Sequence, residues 1–403
     1  MSNKISRHAC MLAIFAIAVT STASLYAAEA KNDSEFYLRD EEFSLKKALR
    51  FKSEDGDFSL RLGGRLHADT AWFIDDDNNV LNSDSRDSEF RRARLFVSGK
   101  AFDDWRYRFE YDFAANNDFR IKSAWVGYNG FKAFSIRAGN VLEPFSLEGM
   151  TSSNNITFME RGLPKAFTQN YKMGALVNTY GHNWSAAVGL FDGNIRNGSK
   201  DGWAGVARVT AAAVRNKRRL MHVGAALEYR EPDEVSFSTR PESNLASGLA
   251  GTGTLRNVDN TMTAGLEFAA VYNSFSLQSE YMQVSLERNN QRSDPGFSGW
   301  YVYGSWFLTG EYRRYNVKKG AFKQIRPKSK YGAWELAARY SKVDLEDKSI
   351  TGGEESNITL GANWYLNRYV RFMANYVRVD ADPDSRGNSQ NPDIFQLRAQ
   401  LVF

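Results

Sequence analysis

Little in this 403-residue chain is suited to covalent or metal chemistry: it has one cysteine, Cys10, and four histidines. Beyond residue 30 there is no thiol, which excludes a disulfide framework, a thiolate metal site and a cysteine nucleophile. His67, His182 and His222 are too few and too scattered for an ordinary zinc site. His67 shares a strand face with Asp69, but no serine falls within reach by spacing, so the pair reads as polar lining. Gly251-Thr-Gly253 lacks the third glycine of a dinucleotide fingerprint, with Arg256 in its place. Asp75-Asp76-Asp77 lacks the spacing of an EF-hand loop and reads as a solvated loop near lipopolysaccharide. No cofactor, metal site or catalytic residue is expected. An excess of one charge is missing too: 52 Lys and Arg against 47 Asp and Glu leave +5, too mild a balance for nucleic acid.

Long hydrophobic runs are also absent. The apolar run at 11–19 is too short to cross a bilayer as a helix. It follows Lys4 and Arg7 and precedes Ala28-Glu29-Ala30, the pattern of a secretory signal peptide at 1–30. No later segment approaches 18 consecutive apolar residues, which excludes a membrane protein built from helices. Residues 31–56 are charged without clean alternation and are expected to form an N-terminal periplasmic or plug-like segment. A third region, 57–403, behaves differently.

What this region has is alternation, with an aromatic content of 14% for the whole chain. In Trp105-Arg-Tyr-Arg-Phe-Glu-Tyr-Asp-Phe113 the five aromatic residues share one face of an extended strand. Arg106, Arg108, Glu110 and Asp112 share the other. A soluble sandwich could bury the first face but would leave four charges abreast on the second. A transmembrane barrel uses both, aromatics toward lipid and charges toward a watery lumen. Comparable segments lie at 58–73, 90–101, 121–128, 134–141, 173–180, 184–191, 203–212, 220–229, 261–272 and 275–284. They continue at 297–307, 332–342, 357–365, 369–380 and 394–403. The sixteen segments predict an all-β protein, a transmembrane antiparallel β-barrel of about 16 strands. The long segment 142–170 follows the fifth strand, where general porins, by fold-level analogy only, have a loop folded into the barrel; a last strand ending on Phe403 resembles an outer-membrane assembly signal.

Inward parity collects Arg61, Arg65, Arg92, Arg94, Arg106, Arg108, Arg137, Arg208, Arg339, Arg371 and Arg398. Between the twelfth and thirteenth strands, 309–331 holds eight basic residues against Glu311 alone. By strand count that connection is periplasmic, where turns are normally short, so it is expected to fold into the pore mouth. Cations in a confined aqueous channel concentrate anions and reject cations. The competing reading is that these arginines pair with Glu110, Asp112, Glu228, Glu267, Glu280 and Glu335 and only stiffen the wall.

These residues resemble a family, the phosphate-selective porins O and P of Gram-negative outer membranes. The likeness is carried by Phe58-Ser-Leu-Arg-Leu-Gly-Gly-Arg-Leu66, Phe90-Arg-Arg-Ala-Arg-Leu95, Asp104-Trp-Arg-Tyr107 and Thr151-Ser-Ser153. It continues in Leu308-Thr-Gly-Glu311, Gly332-Ala-Trp-Glu335, Asn363-Trp-Tyr365 and Phe403. The resemblance implies a homotrimer of 16-stranded barrels with the third loop, the fifth loop and a long periplasmic turn folded inside. It also implies an arginine ladder, with Arg65, Arg91 and Arg92 as members, leading to a lysine cluster at Lys318, Lys319 and Lys323. There are departures: the fifth loop keeps only Arg240, with Arg256 further along, and the third loop carries no lysine before Lys165.

The expected protein is therefore an outer-membrane porin for passive diffusion of anions, with phosphate or polyphosphate as the solute. Its anion pathway is Arg65, Arg91, Arg92, Arg94, Arg106, Arg108, Arg137 and Arg240, and its constriction is Lys165, Lys318, Lys319 and Lys323. Its partners are small anions, outer-membrane lipid and lipopolysaccharide, and further copies of itself. A general, weakly selective porin is the alternative; an outer-membrane enzyme or an adhesin fits the sequence less well.

Overall fold

The computed structural model describes residues 49–74, 81, 84–115, 120–193, 202–289, 294–382 and 391–403. The expected leader, most of 31–56 and Asp75-Asp76-Asp77 lie outside them. Sixteen strands form the barrel: β1 Ser59–Ile74, β2 Arg86–Ala101, β3 Trp105–Asp112, β4 Ile121–Tyr128, β5 Ser135–Leu142, β6 Tyr171–Tyr180, β7 Trp184–Phe191 and β8 Ala204–Arg215. The second half is β9 Arg219–Arg230, β10 Val258–Tyr272, β11 Phe275–Arg288, β12 Gly296–Phe307, β13 Ala333–Asp347, β14 Ile350–Tyr365, β15 Val370–Ala381 and β16 Asp393–Val402. Each pairs antiparallel with its neighbours, and β16 returns to β1 in the register Arg65↔Val402 to Ile74↔Asp393, which leaves no edge.

The period-two pattern sets the faces. Trp105, Phe109 and Phe113 stand exposed on the outside, while Glu110 and Asp112 are buried on the inside. At the short-turn end the outer aromatics meet in neighbouring pairs, Phe275 with Trp306 and Trp334 with Trp364 stacked and Trp105 with Tyr128 tilted. Such a girdle marks the membrane–water interface. Several strands run further at the opposite end than the sequence predicts: β11 to Arg288 and β14 from Ile350. There the outward residues of β11 are Gln283, Ser285 and Glu287. The hydrogen-bonded ladder continues after the apolar alternation has stopped.

The seam is tight. The Gly64 N–H donates to the Phe403 carbonyl and the Phe403 N–H to the Gly64 carbonyl, both at 3.1 Å. A Cβ on Gly64 would lie 2.6 Å from the Phe403 ring, so a glycine there seats the terminal side chain. Of the N-terminal segment, Arg50–Lys52 adds a short antiparallel pairing to the start of β1.

The interior is divided by loops. The third loop, 143–170, leaves β5 and crosses the lumen through one helical turn, α1 Leu147–Met150, and a 3₁₀ turn at Leu163–Phe167. Phe145, Leu147, Ile156, Phe158, Met159, Leu163 and Phe167 are all buried. They fit because inward glycines leave room: Phe145 lies over Gly265, Phe167 over Gly299 and Phe158 over Gly361. The loop's unpaired carbonyls find donors in the wall. Arg371 donates to the carbonyls of Ile156 at 2.7 Å and Thr157 at 2.8 Å, Arg339 to that of Glu160 at 3.1 Å, and Arg398 to that of Met159. Inward parity alone therefore does not place an arginine in the lumen. Arg208, Arg339, Arg371 and Arg398 point inward but lie largely beneath loops, each 5% exposed or less; of the four, Arg208 still borders the lumen cavity.

The fifth loop, 231–257, folds in beside the third. Its Glu242 accepts from Arg339, Ser341 and Thr359, and Leu245, Ala246 and Leu249 pack on Ala71, Val377 and Ile394. From the other end, the turn 308–332 enters as a hairpin of Arg314–Asn316 and Ala321–Lys323. Its Val317 and Phe322 pack with Leu147, Ala212, Leu220 and Val271. Replacing Glu242 by Ala leaves the fully buried Arg339 without its nearest carboxylate, a change that costs about 3–5 kcal/mol when a buried pair is broken. The expected outcome is proteolytic nicking within 236–250 in a barrel that keeps its heat-resistant gel mobility; equal protection of variant and parent would refute it.

Candidate channel lumen

Packing of the third loop against β9–β16 leaves the open space on the side of β1–β8. It measures about 1320 Å³, and seventeen Lys and Arg side chains line it against three carboxylates, Glu110, Glu160 and Glu242. The lining includes Arg65, Arg91, Arg92, Arg94, Arg106, Arg108, Arg137, Arg240, Lys165, Lys318 and Lys319; Lys323 is not among it.

The centre of this wall is one carboxylate shared by three guanidinium groups. Arg65 Nη2 and Arg94 Nη1 each lie 3.4 Å from Glu110 Oε1, and Arg108 pairs with Oε2. Arg94 also holds Asp112 at 2.7 Å. Two aromatic rings support the flanking charges: Arg108 lies 3.9 Å from the Phe96 centroid and Arg137 5.0 Å from that of Trp125. Such stacking fixes a guanidinium while leaving its edge donors available. Arg65 Nη1 reaches the hydroxyls of Ser152 and Ser153 at 3.4 and 3.2 Å, which ties the wall to the third loop. Arg106 bonds to the carbonyls of Asp103 and Trp105 at the short-turn rim.

Two bulges add cations that parity does not place. Arg91 is the extra residue where the register of β1 and β2 shifts between His67 and Ala68. Lys122 is the extra residue where β3 and β4 shift between Glu110 and Tyr111. Sequence reasoning reached Arg91 only through the family resemblance and missed Lys122, because no apolar alternation marks a bulge. It also missed Arg161, which staples the third loop by donating to the carbonyls of Glu148 at 2.9 Å and Thr151 at 3.0 Å.

The candidates are not equivalent. Arg91 forks onto Glu160 at 2.8 and 3.0 Å, and Arg92 is buried between Glu160 and His67. Burial alone would raise the Glu160 carboxyl, but Arg91, Arg92 and Arg398 hold it well below its usual range. Arg240 turns back on its own loop, bonding the Asn244 carbonyl at 2.9 Å. Lys318 donates to the Tyr180 hydroxyl at 2.7 Å. Burial, with Arg137 and Arg108 nearby, pushes the Lys319 ammonium down. Lys323 is exposed and pairs in register with Arg314; partial burial, with Arg314, Arg326 and Arg215 nearby, pushes its ammonium down. Burial pushes Lys165 down to about 7, with Arg161 adding to the effect and Glu143, Glu228 and Glu148 opposing it.

A closed sixteen-stranded barrel, apolar outside and narrowed inside by loops around an open, charge-lined space, defines an outer-membrane porin. The profile of the family described as "Phosphate-selective porin O and P" matches residues 60–403. Porin O of Pseudomonas aeruginosa is 29% identical over 444 aligned residues that cover 99% of this chain and all of that one. Among solved structures, the anion-selective porin of Comamonas acidovorans superposes with a TM-score of 0.53 at 14% identity, covering 86% of this chain and 100% of its own. A trimer form of OmpT from Vibrio cholerae gives a TM-score of 0.56 at 10% identity, covering 86% and 99%; at such identities the likeness is one of fold. The chain belongs to the phosphate-selective porin O and P family, and it is an anion-selective porin of the bacterial outer membrane.

Two tests follow from the placement of the lysines. Lys318→Glu and Lys319→Glu together should shift the reversal potential under a salt gradient toward that of the cation, whereas Lys323→Glu alone should leave it in place; equal shifts would show that lumen position does not matter. The second concerns pH. With its ammonium titrating near 7, Lys165 is charged in acid and loses its charge as pH rises through that value. Anion preference should therefore decline between pH 6 and pH 8, and Lys165→Gln should remove that step.

Proposed function

We propose that the lumen conducts small oxyanions, phosphate or polyphosphate among them, by passive diffusion along the β1–β5 wall, in a barrel that works as a homotrimer. The observation that carries the reading is the excess of seventeen cations over three carboxylates around one cavity. Planar guanidinium donors suit phosphate oxygens. The charges are spread out, as conduction needs. One unit pair at 4 Å is worth about 4 kcal/mol at an effective dielectric of 20, so several such contacts at one point would trap an anion. Shared carboxylates such as Glu110 temper each site, and a series of moderate sites allows onward transfer.

A channel without catalysis accords with the histidines. His67 is held by Asn154 at 3.0 Å, His222 by Glu267 at 3.1 Å and Tyr315 at 2.6 Å, and His182 lies beside Arg215 on the rim. Arg240 bonding its own loop favours a second reading, an anion porin with no special affinity for phosphate.

The trimer is supported by a low wall. β3, β4, β5 and β7 have 8 residues each, against 16 in β1 and β2. Eight residues at ~3.4 Å each, tilted by ~45°, rise about 19 Å, short of the ~25 Å apolar band of a barrel. Another copy of the barrel covers that wall better than lipid does, and the remaining outer face meets lipid and lipopolysaccharide.

The decisive experiment is single-channel recording in a planar bilayer under a potassium chloride gradient. The expected result is an anion reversal potential, block of chloride current by low phosphate, and closure in three equal steps. A cation potential would overturn the whole reading. Anion selectivity without phosphate block would leave the general anion porin, and single-step closure would remove the trimer.

A further inference from the structure

Lys318 and Lys319 belong to the connection between β12 and β13; Lys318 has a single side-chain tie to the wall, its Nζ to the Tyr180 hydroxyl at 2.7 Å, while the Lys319 ammonium faces like charges. We infer that Arg208, Glu267 and His222 are positioning residues for selectivity: they clamp the basic turn to the inner wall and so hold both lysines in the ion path. The inference rests on the anion-channel reading above.

The three residues come from adjacent strands, β8, β10 and β9. Arg208 Nε and Nη2 each donate to Glu267 at 2.7 Å, a fork-to-fork pair. The remaining donors of the guanidinium go to the turn's backbone, Nη1 to the Lys319 carbonyl at 3.2 Å and Nη2 to that of Gly320 at 2.8 Å. His222 completes the set, with one ring nitrogen 3.1 Å from Glu267 and the other 2.6 Å from the Tyr315 hydroxyl. Arg208, His222 and Glu267 are all 5% exposed or less. The wall cluster is therefore complete only with the turn in place: without it a buried guanidinium and a buried imidazole each lose a partner, which is costly.

The turn is shaped for this seat. Gly320 has φ +54°, and a Cβ there would lie 2.8 Å from Thr210 and 2.9 Å from Arg208 Nη1. On its far side the Phe322 N–H donates to Thr151 Oγ1 at 3.3 Å, and Arg313 lies 3.6 Å from the Phe322 centroid. The seat has opposition, since Arg108 and Arg137 face the Lys319 ammonium. Like charges in a confined lumen repel the turn, and the clamp holds it there.

The test uses the full-length porin in planar bilayers, with barrel folding checked by heat-modifiable gel mobility. Glu267→Gln weakens the clamp from the wall. Gly320→Val leaves the wall intact and forces the turn off Thr210, so it decides the matter if Glu267→Gln fails to fold. Each should lower the chloride-over-potassium permeability ratio at least about threefold, as Lys318→Gln with Lys319→Gln should. Glu267→Gln added to that lysine pair should lower it no further, because the clamp acts through those charges. An unchanged ratio in both single variants, or a fully additive effect in the combination, would overturn the inference while the channel reading stood. A parent protein that prefers potassium would overturn both.

Discussion

The interior of this barrel depends on the exchange between buried guanidinium groups and loop carbonyl oxygens. An irregular segment inside a membrane barrel has backbone groups that no ladder satisfies, and a buried arginine has donors that no water satisfies. Each need meets the other. Arg339, Arg371 and Arg398 hold the third loop by its carbonyls at 156–160, and Arg208 does the same for the periplasmic turn at Lys319 and Gly320. Carboxylates on the wall or in the loops then balance the charge: Glu242 and Glu148 for Arg339, Asp69 and Glu160 for Arg398, Glu267 for Arg208.

This exchange sorts the arginines into two populations with the same sequence signature. Those on β8, β13, β15 and β16 are covered by loops; Arg208, Arg339 and Arg398 also hold carboxylates, whereas Arg371 bonds the loop carbonyls alone. Those on β1–β5, such as Arg65, Arg94, Arg106, Arg108 and Arg137, remain in contact with the lumen, stacked on rings or sharing Glu110. The third loop makes the difference. By taking up the volume beside β9–β16 it leaves one side of the barrel packed and the other open, lined mostly by cations.

The strands and their faces were legible in the sequence because a period of two is a local property, and Trp105 to Phe113 states it plainly. Covering is not local. Nothing in the alternation around Arg339 or Arg371 tells them from Arg94, since the distinction is made by residues roughly two hundred positions away. Charge pairing was half legible. Glu110, Asp112, Glu228 and Glu267 do accept from arginines, but Glu280 accepts the N–H groups of Leu147 and Glu148 at the start of α1, and Glu335 accepts from Asn363 and Tyr365. The bulge residues Arg91 and Lys122 escape parity by definition, because a bulge is where parity fails.

The contact of Phe322 with Thr151 joins a segment that enters from one membrane face to a segment that enters from the other. These two share a core with Leu147, Val317 and Leu220, so neither can drift alone. A substitution in the third loop that alters this junction therefore reaches the turn as well, and the two faces of the membrane meet in one packed core.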